Sequence, residues 1–215
     1  MRRLVFVVEG DCEIIFVNKF IIPYLYRLGF RNPMNAQTIT TNRKQHKKGG
    51  VTGYQLFRNE LERTLSQGAI VTTLIDFFRL PTDFPGYNQN SDRIREIEES
   101  IIKDFGNNID LIPYIQKHEF EALLFSNISG FKIVIDREEQ LNEVKSIIES
   151  YSNPEDINNS LENAPSKRLM RIFEYDKTFH SEMILESLGM EEILDKCPRF
   201  KEWVERIVAR LSMNF

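Results

Sequence analysis

A short apolar run near the N-terminus constrains the fold of this chain more than any other feature. Residues 4–8, Leu-Val-Phe-Val-Val, are too few for a buried helix and rich in β-branched side chains, so they predict a buried strand. The run leads through Glu9-Gly10-Asp11 into a helical pattern. The chain therefore begins as a strand, a turn and a helix, which is how an α/β fold is built.

Strands and helices continue to alternate through the first half of the chain. Apolar periodicity predicts helices over residues 13–28, 53–65 and 91–105, and strands over residues 37–41, 69–76 and 111–116. Pro23 is expected to kink the first helix, Gly29 to end it, and Ser91 to cap the third. This order predicts an α/β fold, a mostly parallel sheet flanked by helices.

The second half of the chain is mainly helical in pattern. Helices are predicted over residues 138–151, 166–174, 179–188 and 199–211, with one short strand over residues 131–135. We therefore expect an α/β core over residues 1–125 and a C-terminal helical annex over residues 126–215, packed on the core as one structural unit. Large apolar side chains of the annex, Trp203 among them, would cover the core, and any exposed remainder would mark a homodimer or partner interface.

Composition narrows the classes of protein. The 215 residues carry a formal net charge of -4 and two cysteines, which excludes a disulfide framework and a CxxC zinc site. The N-terminus lacks the apolar segment of a signal peptide, and no apolar stretch is long enough to cross a membrane. We expect a cytoplasmic protein without a membrane partner, which would contact nucleic acid through a local patch or a metal.

Acidic residues follow the predicted strands. Glu9, Asp76 and Glu119 stand at the ends of the strands that begin near residues 4, 69 and 111. Parallel strands would bring these ends to one edge, and Glu13 and Glu121 lie close by in sequence. Clustered carboxylates are the ligands of Mg²⁺ or Mn²⁺, although a lone acid at a strand end is more often a solvated residue or a helix cap.

The motif Val8-Glu9-Gly10-x-x-Glu13, followed later by a strand ending in Asp76, resembles the Toprim domain of topoisomerases, primases and OLD-type nucleases. The resemblance implies that Glu9 takes the place of the invariant glutamate and Glu13 that of the second acid of nuclease-type members. Asp76 matches the first aspartate of the Asp-x-Asp motif. It also implies Mg²⁺-dependent phosphodiester chemistry. Phe78 stands where the second aspartate is expected, so Glu119 or Glu121 would replace it.

A second resemblance runs nearly end to end. The chain is similar to a bacterial Toprim-like family of the RloG type, in the segments Thr72-Thr73-Leu74-Ile75-Asp76-Phe77-Phe78-Arg79-Leu80-Pro81, Pro85-Gly86, His118-Glu119-Phe120-Glu121-Ala122-Leu123-Leu124-Phe125 and Ala164-Pro165-Ser166-Lys167-Arg168-Leu169. This resemblance implies a place in restriction or defence loci and an ATPase partner encoded alongside.

Basic residues are candidates for contact with nucleic acid. Arg43, Lys44, Lys47 and Lys48 precede a glycine pair and could follow a phosphate backbone; a solvated loop explains them equally well. Lys167 and Arg168 stand at a predicted helix start, where they could offset phosphate charge or form a salt bridge. His118 could ligate a metal or act as a general acid, or be an ordinary histidine.

Two functions remain open from sequence. The first is a metal-dependent nuclease, in which Glu9, Asp76 and either Glu119 or Glu121 hold Mg²⁺ and Lys167 neutralises charge. The alternative is a non-catalytic, Toprim-derived regulatory or effector subunit that docks on an ATPase, which the missing Asp-x-Asp favours. A phosphatase of the haloacid dehalogenase type needs that aspartate pair, and Phe78 removes it.

Overall fold

The fold is α/β, as predicted, with a mostly parallel sheet flanked by helices. The structure is a computed structural model that describes residues 1–42, 47–48, 50–157 and 162–213, without the side chains of residues 40–42 and 47–48. The chain divides into two compact units. The first comprises Met1–Gln116 together with Trp203–Phe215, and the second comprises Lys117–Glu202.

The sheet belongs to the first unit. Its central strands are fully buried, as the β-branched runs predict, and its pairings are parallel, in the order β2-β1-β5-β6 with β7 also beside β5. Two further strands, β3 and β4, form a small antiparallel pair. The strands are β1 (Leu4–Val8), β2 (Met34–Thr38), β3 (Thr40–Asn42), β4 (Lys47–Lys48), β5 (Ile70–Asp76), β6 (Leu111–Ile112) and β7 (Ile115–Gln116).

The helices of the first half are α1 (Asp11–Phe16), α2 (Ile22–Arg27), α3 (Tyr54–Leu65) and α4 (Ile94–Asp104). A π-helical turn, Val17–Ile21, joins α1 to α2, so the predicted first helix is continuous. Pro23 lies at the start of α2, directly after the π turn, which is the irregularity expected where a residue without an N–H interrupts the helical hydrogen bonds. Gly29, with a φ of 99°, follows the helix as predicted.

Both faces of β1 are covered within the first unit. Val5 and Val7 point to one face and join a cluster with apolar residues of α3 and α4. Phe6 points to the other face and meets the ring of Trp203 edge-on, with 6.1 Å between centroids. Trp203 also stacks on Tyr114 at 4.6 Å. The predicted cover of the sheet by the C-terminal helix is therefore confirmed for Trp203.

The regular secondary structure in the described residues of the second unit is helical. It contains α5 (Glu138–Ser150), α6 (Pro165–Ile172), α7 (Phe179–Lys196) and the start of α8 (Pro198–Ser212), with 3-10 helices at Phe120–Ser126, Ile128–Ile133 and Pro154–Asp156. Helix α7 is interrupted at Gly189, whose φ of 73° is not helical. No helix in the described part of the chain is long and apolar enough to cross a membrane.

The predicted strand over residues 131–135 is wrong. A 3-10 helix, Ile128–Ile133, occupies most of it. Phe131 and Ile135 are buried whereas Ile133 is 52% exposed, but a strand would turn all three to one face. Gly130 lies so close to α7 that a Cβ there would be 2.7 Å from Ile184. Packing against α7 decides the conformation.

Other predicted element boundaries differ from those in the structure. The strand expected over residues 111–116 is two short strands, because Pro113 has no N–H and the Tyr114 N–H donates to the hydroxyl of Thr73 at 2.8 Å. The strand expected over residues 37–41 begins at Met34 instead. Asn90, and not Ser91, caps the turn that leads into α4, by accepting the Asp92 N–H at 2.9 Å.

Candidate functional site

Glu9 and Asp76 meet at the carboxyl ends of two adjacent strands. Val8 of β1 pairs with Leu74 of β5, so the residues that follow lie side by side. The backbone N–H of Asp76 donates to Oε2 of Glu9 at 3.1 Å. The sequence prediction that these two strand ends converge is therefore confirmed for Glu9 and Asp76. Open parallel sheets place their ligands at this edge.

Glu13 closes the turn between β1 and α1. Its Oε2 accepts the backbone N–H of Gly10 at 2.9 Å and forms a capping box at the helix start. A Cβ on Gly10 would lie 3.3 Å from that same oxygen. Gly10 has extended backbone angles, so the closeness of Glu13, and not a left-handed turn, favours glycine there.

Phe78 stands where the second aspartate of the Toprim motif is expected. The guanidinium of Arg79 lies over its ring, 5.2 Å from the centroid. Arg79 adopts a φ of 64°, in the left-handed region that non-glycine residues rarely use. The position therefore presents an aromatic ring with a cation on it, and not a further carboxylate.

Glu119 belongs to the second unit and supports a helix there. Its Oε2 accepts the backbone N–H of Ser166 at 2.9 Å, in the first turn of α6. The side chain is buried, and a carboxylate at a helix N-terminus is favoured by the exposed N–H groups and the helix dipole. Glu119 thus caps α6, and its sequence-predicted role as a metal ligand is a separate one.

Glu121 is a fully buried carboxylate, also in the second unit. The ammonium of Lys177 lies 2.9 Å from its Oε1. Burial raises the pKa of Glu121 to about 7, although Lys177 opposes the rise and the nearby Glu119 adds to it. The Glu121 carboxyl group therefore changes its protonation state near neutral pH.

The predicted basic contacts fall in different places. Lys167 lies exposed in the first turn of α6. Arg168 is held by the carbonyl of Asn163 at 2.8 Å and lies over the ring of Tyr151, 5.8 Å from the centroid. Arg43 and Lys44 lie outside the described residues, and the backbone of Lys47 and Lys48 forms β4. Their roles in binding nucleic acid stay predictions.

The carboxylates of the first unit fit a hard divalent cation. Mg²⁺ is usually held by one or two carboxylates and completes its shell with water and phosphate, and Glu9 with Asp76 supplies that donor type. Within the part of the chain that the structure describes, no group of three or more His, Cys, Asp or Glu side chains is placed to hold a metal ion. The predicted participation of Glu13, Glu119 and Glu121 stays a prediction.

Sequence reasoning missed the partners of the buried acids. Lys177 pairs with Glu121, but the two are far apart in sequence and no local pattern joins them. The Ser166 contact with Glu119 involves a backbone N–H, which carries no side-chain signature. The Ala164-Pro165-Ser166 segment does signal a helix start, because proline is favoured in a first turn.

Comparisons with known proteins place the chain in a family. No curated protein and no solved structure matches it. A family model does match, and it covers residues 8–208, from the end of β1 to the last turns of α8. The match includes both strand-end acids and the whole of the second unit. The chain therefore belongs to the DUF4276 family, described as a domain of unknown function.

Proposed function

We propose that this protein is a Toprim-type nuclease that hydrolyses phosphodiester bonds with Mg²⁺ or Mn²⁺. On the resemblance to RloG-type proteins, it acts in the bacterial cytoplasm, in defence, with an ATPase encoded alongside. The observation that carries the proposal is the contact of Glu9 with Asp76, at the ends of adjacent parallel strands. Carboxylates at this edge are the usual means of holding a cation against phosphate.

Glu9 and Asp76 would hold the cation. When bound, a divalent cation supplies Lewis acidity towards a phosphodiester. The chain's own contribution is to fix the two strand ends and the Glu9 carboxylate: β1 and β5 are fully buried, and the Asp76 N–H ties the Glu9 side chain to the neighbouring strand. Glu13 holds the turn between β1 and α1, because its carboxylate accepts the backbone N–H of Gly10. A carboxylate that is already held in place needs no reorganisation when a cation binds.

A cleavage assay with matched variants tests the proposal. Plasmid DNA and single-stranded RNA are incubated with the full chain, with its ATPase partner present and absent, in Mg²⁺, Mn²⁺ or EDTA. Glu9→Gln and Asp76→Asn should each reduce cleavage by at least about 100-fold. Glu62→Gln is the control, because Glu62 lies on α3 with its side chain 60% exposed. Thermal unfolding establishes that each variant is folded.

Equal cleavage by the wild type and both site variants would point to a contaminating nuclease and contradict the proposal. Cleavage in EDTA would contradict the cation requirement. The sequence-predicted role of Lys167 is tested in the same assay with Lys167→Met, which should lower the rate without changing the preference between Mg²⁺ and Mn²⁺.

A second candidate function is a non-catalytic subunit that docks on an ATPase. It is favoured by the structural contacts of the acids, since Glu9, Glu13 and Glu119 each accept a backbone N–H. Co-purification with the adjacent ATPase distinguishes the two functions. A stable complex that cleaves neither DNA nor RNA, and that survives Glu9→Gln unchanged, supports the non-catalytic subunit.

A further inference from the structure

A cleft in the second unit has the lining of a ligand site. Its volume is about 590 Å³, within the range of small-molecule pockets, and it opens between the segment before α5, the end of α6 and the start of α7. Neither Glu119 nor Glu121 lines it. The cleft is therefore separate from the buried acids of this unit.

Aromatic rings form one side of the cleft. Phe173 and His180 both line it, with their centroids 5.3 Å apart and the rings nearly perpendicular. Phe179, which is 61% exposed, lies 5.2 Å from His180. Nδ1 of His180 accepts the Asp176 N–H at 2.7 Å, which leaves Nε2 to carry the ring's proton. Rings that line a cleft can pack against a planar ligand, and Phe173 and His180 are the two rings in this lining.

Charged side chains complete the lining. Arg137 and Arg171 supply guanidinium groups, both exposed to solvent, and Arg171 also donates to Oδ1 of Asn163 at 3.1 Å. A guanidinium has five N–H donors in a planar fork, so this contact leaves donors for an anion. Asp136 and Glu174 line the cleft too, and carboxylates accept hydrogen bonds from amino groups of nucleobases.

We propose that this cleft binds a nucleotide. The base packs against Phe173 and His180, the phosphate meets Arg137 and Arg171, and Asp136 or Glu174 accepts from the amino group of the base. A bare anion would use the arginines but not the rings, and the two carboxylates would repel it. A purely apolar ligand would make no polar contact with the two arginines and two carboxylates of the lining. Only a ligand with a planar, amino-bearing part and an anionic part uses every side of the cleft.

The test measures binding to the full chain by isothermal titration calorimetry, in EDTA so that hydrolysis plays no part. The probes are the ribonucleoside 5′-monophosphates, adenosine and inorganic phosphate. At least one monophosphate should bind about tenfold or more tightly than adenosine and than phosphate. Arg137→Gln and Arg171→Gln should each weaken that binding about tenfold, as expected for a lost charged hydrogen bond.

Lys145→Gln is the matched control, because Lys145 is an exposed cation on α5 outside the cleft lining. It should bind the monophosphate as the wild type does. A 5′-phosphorylated single-stranded oligonucleotide separates the two sources of the ligand: tighter binding of the oligonucleotide assigns the cleft to a strand end, and tighter binding of the monophosphate assigns it to a free nucleotide.

Three results would overturn the proposal. Phosphate binding as tightly as every monophosphate would show an anion site only. Equal binding by the wild type and both arginine variants would place the ligand elsewhere. Absence of binding by all probes to a folded chain would show that the cleft takes no nucleotide. Each outcome is independent of whether Glu9 and Asp76 support cleavage, so failure here leaves the nuclease proposal standing.

Discussion

The indole N–H of Trp203 donates a hydrogen bond of 2.7 Å to the hydroxyl of Thr72, across 131 residues of sequence. The same hydroxyl donates to the carbonyl of Ile112 at 2.7 Å. All three groups are buried, so each polar atom has exchanged water for a protein partner. One threonine on the central strand thus joins the C-terminal helix to the edge of the sheet.

Removing that hydroxyl should destabilise the protein. Thr72→Val keeps the shape but leaves a buried indole N–H and a buried carbonyl without this partner, at a cost of about 1–3 kcal/mol in the free energy of unfolding. Urea denaturation followed by tryptophan fluorescence measures the change. Thr52→Val, at an exposed position, is the control. Equal stability of both variants would show that the hydrogen bond contributes nothing net.

Asp110 should stabilise the first unit through its two arginines. Arg2 donates to its carboxylate at 2.7 Å, Arg210 donates as well, and the Asp110 carbonyl accepts the N–H of Val71. Asp110→Asn removes the charge and should lower the free energy of unfolding by about 1–2 kcal/mol at neutral pH. Asp195→Asn, with its side chain 74% exposed, should change it little.

This contribution should depend on pH in one direction. Burial tends to raise the pKa of Asp110, but hydrogen bonds from Arg2 and Arg210 outweigh it and hold the pKa below its ordinary value of 3.8. The stabilisation is therefore present above that value and is lost as the pH falls through the lower, folded-state pKa. The difference between wild type and Asp110→Asn should shrink in acid. A difference that grows in acid would contradict the assignment.

Glu121 should give the opposite pH dependence. Its folded-state pKa of about 7 lies above the ordinary 4.5, so the folded state holds the proton more tightly than the unfolded state. Stability should therefore fall as pH rises from about 4.5 to about 7, by on the order of 3 kcal/mol, and level off above. Glu121→Gln removes this slope, whereas Glu139→Gln, at an exposed position on α5, should keep it. Urea denaturation in EDTA at several pH values measures both; a slope retained by Glu121→Gln would contradict the prediction.

A chain that ends at residue 153 should not fold cooperatively. It lacks Trp203, which stacks on Tyr114 and meets Phe6 over the buried sheet. Loss of a large buried aromatic costs about 3–5 kcal/mol by itself, and the rest of α8 is lost with it. Residues 1–116 joined by a flexible linker to residues 198–215 should regain a cooperative thermal transition. A folded, monomeric fragment of residues 1–153 would show that α8 is dispensable.

Local patterns predicted the elements whose burial is regular. β1 and β5 are buried along their whole length, so an unbroken β-branched run was sufficient to place them. Helix α3 followed from its apolar spacing, with Phe57 and Leu61 buried, although Leu56 on the expected face is 42% exposed. The common edge of Glu9 and Asp76 follows from the strand assignments, because parallel strands end on the same side. The pairing of β1 with β5, which makes the two residues neighbours, is known only from the structure.

The rest depended on neighbours that sequence does not reveal. Residues 131–135 have a strand-like composition, but Gly130 allows the backbone to lie against Ile184, and these residues pair with none of the described strands. The Tyr114 N–H donates to the side-chain hydroxyl of Thr73 and not to a backbone carbonyl, so the strand is interrupted there. The acids that looked like ligands include Glu119 and Glu121, whose partners Ser166 and Lys177 are 47 and 56 positions away. Such contacts follow from tertiary packing alone.

The discontinuity of the first unit bears on how the protein is made. Its last strand, β7, ends at Gln116, and Trp203 is synthesised only after the whole of Lys117–Glu202. At ordinary rates of translation that interval lasts on the order of 10 s. Until then, the Trp203 ring does not cover the sheet face that carries Phe6 and Tyr114. The face of β1 that carries Phe6 is therefore completed only after the second unit has been synthesised.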